Sequence, residues 1–154
     1  MQQPISNLSV QPSAQLASSV KLWTPGFIAA VTFFLAFPAG IVLASINWMR
    51  MKMTDKAIIH LVAGAVGTVI FLAILIMTPG NTGRLFALAI NLGILFYLRW
   101  RMEKDINVFQ ATSRVEKAGW PGGCLIGIGM LILYYLMAFF FGIVLVLIGV
   151  PIPE

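Results

Sequence analysis

Four apolar segments, over about residues 24–49, 56–77, 82–98 and 121–150, divide this chain of 154 residues, and their interiors hold no Asp, Glu, Lys or Arg. A helix rises 1.5 Å per residue, so a run of about 20 apolar residues matches the roughly 30 Å hydrocarbon core of a bilayer. The charges are placed to suit that reading. Eight of the ten Lys and Arg residues follow the first or the third segment: Arg50, Lys52 and Lys56, then Arg99, Arg101, Lys104, Arg114 and Lys117. Short loops rich in Lys and Arg stay on the cytoplasmic side. The sequence therefore predicts an all-α integral membrane protein of four transmembrane helices in two antiparallel hairpins, with both basic loops cytoplasmic and both termini outward.

Charged residues make up 10% of the chain, against roughly 25% in a soluble domain. A soluble enzyme or carrier is excluded on that ground. The net charge of +5 would suit nucleic acid, but the cations stand at segment ends, where lipid phosphates meet them, so the expected partner is the bilayer and not nucleic acid. Cys124 is the single cysteine and has no internal disulfide partner. The first apolar run, from Phe27 to Trp48, is too long for a signal-peptide core and is followed by Arg50 and Lys52, so it reads as a retained span.

Residues 1–22 are rich in Gln, Ser, Asn and Pro without apolar period, the composition of a flexible polar arm. The membrane domain covers 23–150. In the first segment Thr24 is a candidate N-cap, Pro25 suits the first helical position, and Trp23 and Trp48 bracket the run as interfacial aromatics. Pro38 is expected to kink this helix in mid-span. Thr54 is the expected N-cap of the second segment, and the turn from Thr78 to Gly83 makes segments two and three a tight hairpin. In the basic loop over 99–119, Met102, Ile106 and Phe109 recur at helical spacing beside Arg99–Glu103 and Arg101–Asp105 pairs. The third helix is thus expected to extend past the membrane or to be followed by a cytoplasmic amphipathic helix.

Candidate chemistry is sparse. Proton-coupled transport normally needs a buried acid, and the segment interiors lack one. His60, the sole histidine, is the one candidate ligand for haem or a pigment magnesium; an interfacial hydrogen-bonding role is the plainer reading. Asn47 and Asn91 are polar groups inside apolar segments, suited to bonds between helices, with pore lining by Asn91 as the alternative. Small residues four apart are candidate packing sites: Ala36, Gly40 and Ala44; Ala63 and Gly67; Ala89 and Gly93; Gly119, Gly123 and Gly127. No catalytic constellation, metal cluster or phosphate loop stands out, so the chain is not expected to be an enzyme and no cofactor is assigned.

The first segment reads Trp23-Thr24-Pro25-Gly26-Phe27-Ile28, Thr32-Phe33, Phe37-Pro38-Ala39-Gly40 and Asn47-Trp48. Over this stretch the chain resembles a functionally uncharacterised group of small bacterial multi-span membrane proteins. The resemblance implies a helical protein of a bacterial inner membrane (a thylakoid membrane being the other setting) and no mechanism. Three functions remain open from the residues. The first is a small non-enzymatic accessory or assembly subunit that packs against itself, as a homo-oligomer, or against a larger membrane complex. The second is an oligomeric channel or transporter for a small solute, and the third a pigment- or haem-binding subunit.

Overall fold

The computed structural model describes residues 19–78 and 80–149, so the predicted arm over 1–22 lies outside the described residues except at its end. The elements in order are β1 (Val20–Leu22), α1 (Pro25–Leu35), α2 (Phe37–Arg50), α3 (Thr54–Met77), α4 (Gly80–Gln110), β2 (Val115–Lys117) and α5 (Trp120–Leu147). Three of them, α3, α4 and α5, are long and apolar enough to cross a membrane. The all-α membrane class holds. The segment expected as one span over 24–49 does not form one helix.

That segment is two helices folded back on each other. Thr24 caps α1, its hydroxyl accepting from the Phe27 N–H at 3.2 Å, and Pro25 takes the first helical position. The helix ends where Pro38 forbids its continuation: the ring has no N–H for the carbonyl four residues back and clashes with it. The break falls at Ala36, whose φ of 77° and ψ of 155° lie in a region used almost only by glycine. α2 then starts with Pro38 in its first turn, where no intrahelical N–H is needed. Pro38 is therefore a helix starter beside a reversal and not a mid-helix kink, which corrects the expectation.

The reversal is proved at the open end. Trp23 and Asn47, which a continuous helix would hold about 36 Å apart, touch through two hydrogen bonds of 3.1 and 2.8 Å. Close packing of the two arms requires a small residue, and Gly40 supplies it: a Cβ there would collide with the Thr32 hydroxyl. At 11 and 14 residues the arms measure about 16 and 21 Å, too short to cross a roughly 30 Å core. α1 and α2 form a helical hairpin whose two open ends lie together.

α2 ends in a Schellman turn. Met53 N–H donates to the Trp48 carbonyl at 2.8 Å and Lys52 N–H to that of Met49 at 3.0 Å, with Lys52 left-handed at φ 61°. The turn leads straight into α3, so Met53, not Thr54, occupies the N-cap position. α4 runs 31 residues, about 46 Å, as one helix, longer than the roughly 30 Å core of a bilayer. Its extension carries Met102 and Ile106, which are buried against the hairpin instead of lying on a lipid surface. β2 then pairs in parallel with β1, Val20 opposite Val115 and Leu22 opposite Lys117. The chain before α1 is thereby tied to the loop after α4. It lies on the side of the basic loops, where the sequence had placed it on the opposite one.

The hairpin is the core. Ile28, Val31, Phe37, Leu43 and Trp48 are buried, with Leu98 and Met102 of α4 closing over them. α3 covers α2, α4 covers α1, and α5 lies across both arms. α5 approaches through its glycines: a Cβ at Gly123 would strike Phe27, and one at Gly127 would strike Leu35. Those two glycines are the buried residues of α5.

Candidate functional site

Polar side chains gather at the open end of the hairpin. Asn47 sits in the last turns of α2 and faces the extended backbone before α1. Its Oδ1 accepts from the Trp23 N–H at 3.1 Å and its Nδ2 donates to the Trp23 carbonyl at 2.8 Å. The amide thus does for Trp23 what a neighbouring strand would do, satisfying a donor and an acceptor that cannot be left bare in a buried place. The Trp23 indole N–H donates to the Gly119 carbonyl at 3.0 Å, which fixes the start of α5. Arg50 lies with its guanidinium carbon 4.5 Å from the centre of the Trp23 ring and donates to the Lys21 carbonyl at 2.9 Å.

The other arm is held by α4. Asp105 accepts from the Trp48 indole N–H at 2.8 Å and from Lys56 Nζ at 2.9 Å, and Arg101 stands 3.9 Å away. Asp105 lies seven residues beyond Leu98, in the part of α4 outside the apolar segment. Burial alone would raise its carboxyl pKa. The Lys56 and Trp48 hydrogen bonds and the Lys56 and Arg101 charges outweigh that, and hold it below the ordinary aspartate value. The Arg101–Asp105 pair was legible at i,i+4; the cross-helix bonds to Trp48 and Lys56 were not.

His60 lies one turn beyond Lys56 and belongs to the same cluster. Its Nδ1 is 2.7 Å from the Lys56 carbonyl and its Nε2 is 2.9 Å from the Tyr97 hydroxyl. A carbonyl can only accept, so the network assigns the ring proton to Nδ1 and makes Nε2 the acceptor from Tyr97. The ring also packs on Trp48 at 4.2 Å between centroids. Both nitrogens are engaged within the chain. Among the described residues no three His, Cys, Asp or Glu side chains come together as a metal site.

At the other end of the hairpin, Asn91 of α4 accepts from the Phe37 N–H at 3.0 Å. This caps α2 at its first residue, deep among apolar side chains. Asn91 is a bond between elements, to backbone, and its carbonyl oxygen is directed at the reversal. The small-residue candidates divide sharply. Gly40, Ala44, Gly123 and Gly127 are buried in the hairpin or against it, and Ala36 is the reversal itself. Ala63, Ala89, Gly93 and Gly119 are exposed, and Gly67 is half-buried with open space where a Cβ would be. Gly64, beside Ala63, is the α3 residue that admits Ile41.

A cleft of about 350 Å³ lies between α2, α3 and α5, lined by Pro38, Ile41, Gly64, Thr68, Tyr134 and Met137 among others. Its one threonine already donates to the Gly64 carbonyl at 2.7 Å. Tyr134 is the other lining residue with a polar side-chain group, and the rest of the lining is apolar. No family model, curated protein or solved structure matches the chain.

Proposed function

We propose that this is a small non-enzymatic membrane subunit, built to present a fixed apolar surface to a second copy or to a larger membrane complex. The carrying observation is the contrast along α5. Its first turns are packed on the hairpin, while from Ile128 to Leu147 it has no buried residue, and its outer half presents Tyr135, Phe139, Phe140 and Leu147. The Asn91 carbonyl oxygen and the Thr68 hydroxyl, polar groups within the apolar helices, each hold a hydrogen bond inside the chain, which favours packing over pore lining. His60 gives the pigment reading no free nitrogen.

For orientation, Val20–Leu22 pairs with Val115–Lys117, so Lys21 joins the basic loops. Nine of the ten Lys and Arg residues then fall on one side, with Arg84 alone on the other. The positive-inside rule makes the nine-residue side cytoplasmic, with the chain before α1 inside and the end of α5 outside, in a bacterial inner membrane.

Extraction from the native membrane in mild detergent tests the assembly reading. We expect a particle larger than one chain, with either a single partner in fixed proportion or a defined homo-oligomer. A strictly monomeric species at membrane-like protein density overturns it. For orientation, a reporter fused at Glu154 is expected to be active outside the cytoplasm, and activity inside would reverse the assignment.

A further inference from the structure

The hairpin fills only part of the membrane's depth. Its tip is fixed by three contacts: Asn91 to the Phe37 N–H, the Phe71 ring 5.2 Å from that of Phe37, and Gly127 beneath Leu35. Asn91 is midway through the apolar stretch 82–98 of α4. Beyond this level, toward Met77, Gly80 and Leu147, only α3, α4 and α5 continue. Over the depth of the hairpin five helices run side by side; beyond its tip three do. The two additional cross-sections, at about 10 Å diameter each, occupy about 160 Å² of one leaflet only.

The arrangement of the outer helices keeps this difference. α3 ends at Met77 and α4 begins at Gly80 on the far side, and on the basic side the hairpin stands between them. The bridges across that gap are long side chains: Lys56 to Asp105 and His60 to Tyr97. The clamps at Asn47, Trp23 and Asp105 hold the wide end shut around the hairpin, so the protein cannot equalise its two halves by letting the arms slide out.

We infer that the chain is a wedge whose preferred partner is a strongly bent bilayer, with the leaflet on the basic side forming the convex face. A convex leaflet is expanded relative to its partner and accommodates the additional area, whereas a flat or oppositely bent membrane must compress lipids on that side or stretch them on the other.

The wild-type full chain serves for the test, so no variant has to fold. It is reconstituted into small sonicated and large extruded vesicles of the same neutral phosphatidylcholine, and trypsin is added outside. Cleavage in the loop 99–119 marks chains with the basic side outward, and detergent permeabilisation gives the total. The ratio of outward to inward chains is expected to rise by about a factor of two or more from large to small vesicles, the response of a population to a bias of order RT. Equal ratios overturn the inference. So does a rise seen only after anionic lipid is added, because that assigns orientation to charge and not to shape.

Discussion

The two halves of this molecule, divided at the level of Ala36, are built by different means. On the basic side, α1 to α4 share buried hydrophobic side chains, α5 joins them through Gly123 and Gly127, and Asn47, Trp23, Trp48 and Asp105 cross-link the elements. On the far side, large side chains such as Met77, Leu85, Phe139 and Leu147 are exposed, and α5 touches no other helix of the chain closely enough to bury a residue. In lipid there is no hydrophobic drive between helices, because acyl chains are as apolar as leucine. What remains is close backbone approach and hydrogen bonding, and the chain has concentrated both in one half. Its order is specified where glycine and amide groups are, not where hydrophobicity is greatest.

The sharpest way to break this comparison is to remove the polar clamp. Asn47→Leu keeps size and gains hydrophobicity, so it would be harmless or favourable if apolar burial set the fold. Here it strands both the N–H and the carbonyl of Trp23 in a buried site, at about 1–3 kcal/mol each, so we expect a loss of about 4 kcal/mol. Unfolding in detergent, followed by the Trp23 and Trp48 fluorescence, measures it. An unchanged midpoint would show that the clamp contributes nothing.

Glycine substitutions compare the halves directly. Gly123→Leu drives a side chain into Phe27 and Trp23, and overpacking of this kind costs about 1–3 kcal/mol; Gly142→Leu meets open space and should leave monomer stability unchanged. Should Gly142→Leu alter the particle mass while Gly123→Leu alters the midpoint, the far half is the assembly surface and the near half the fold. Equal effects on both quantities would erase the distinction between the halves.

Asp105 gives a smaller effect with a definite pH dependence. Its carboxyl is held below the usual value, so the stability it supplies is complete above the unfolded value near 3.9 and is lost as pH falls through the lower folded value. The midpoint should be flat from neutral pH to about 5 and then drop. Asp105→Asn should be less stable by about 2 kcal/mol at neutral pH and lose that acid-induced drop, since hydrogen bonds to a charged group are worth roughly 1.5–3 kcal/mol. A variant that keeps the same acid transition would assign it to another carboxylate.

The sequence carried part of this plainly. Length and hydropathy place α3, α4 and α5, and Thr24-Pro25 marks the start of α1 as its cap geometry requires. The long extension of α4 is visible in the spacing of Met102 and Ile106. The hairpin was hidden because residues 24–49 have the length of a span, and membrane helices tolerate an internal proline. At the reversal and after α2 the positive-φ residues are not glycines: Ala36 and Lys52 stand where Gly is the usual signal, so the reversal and the Schellman turn left no mark of their own. The clues that did exist were polar. Thr32, Ser45 and Asn47 are dense for one apolar segment, and Asn47-Trp48 repeats at its end the aromatic that opens it. The Trp48–Asp105 and Lys56–Asp105 bonds join residues 57 and 49 positions apart, and no local pattern announces them.

The smallest effect we expect is also the one that separates the two architectures by sign. In a continuous transmembrane helix, Ala36→Gly would cost about 0.8–1.0 kcal/mol, because glycine loses more backbone freedom than alanine and adds no contact. In the hairpin, Ala36 holds φ 77° and ψ 155°, where a Cβ is strained by about 1–3 kcal/mol. Glycine occupies that region freely, so relief of strain exceeds the added entropy of the unfolded chain, and the net is a gain of about 1 kcal/mol. The Asn91 bond to Phe37 should persist, since it depends on the position of the reversal and not on the alanine methyl. A raised unfolding midpoint for Ala36→Gly is therefore expected, together with unchanged trypsin accessibility of Lys21 and Arg114 on the same side of reconstituted vesicles. A lowered midpoint, with those two sites protected on opposite sides, would restore the single span and remove the basis for a wedge.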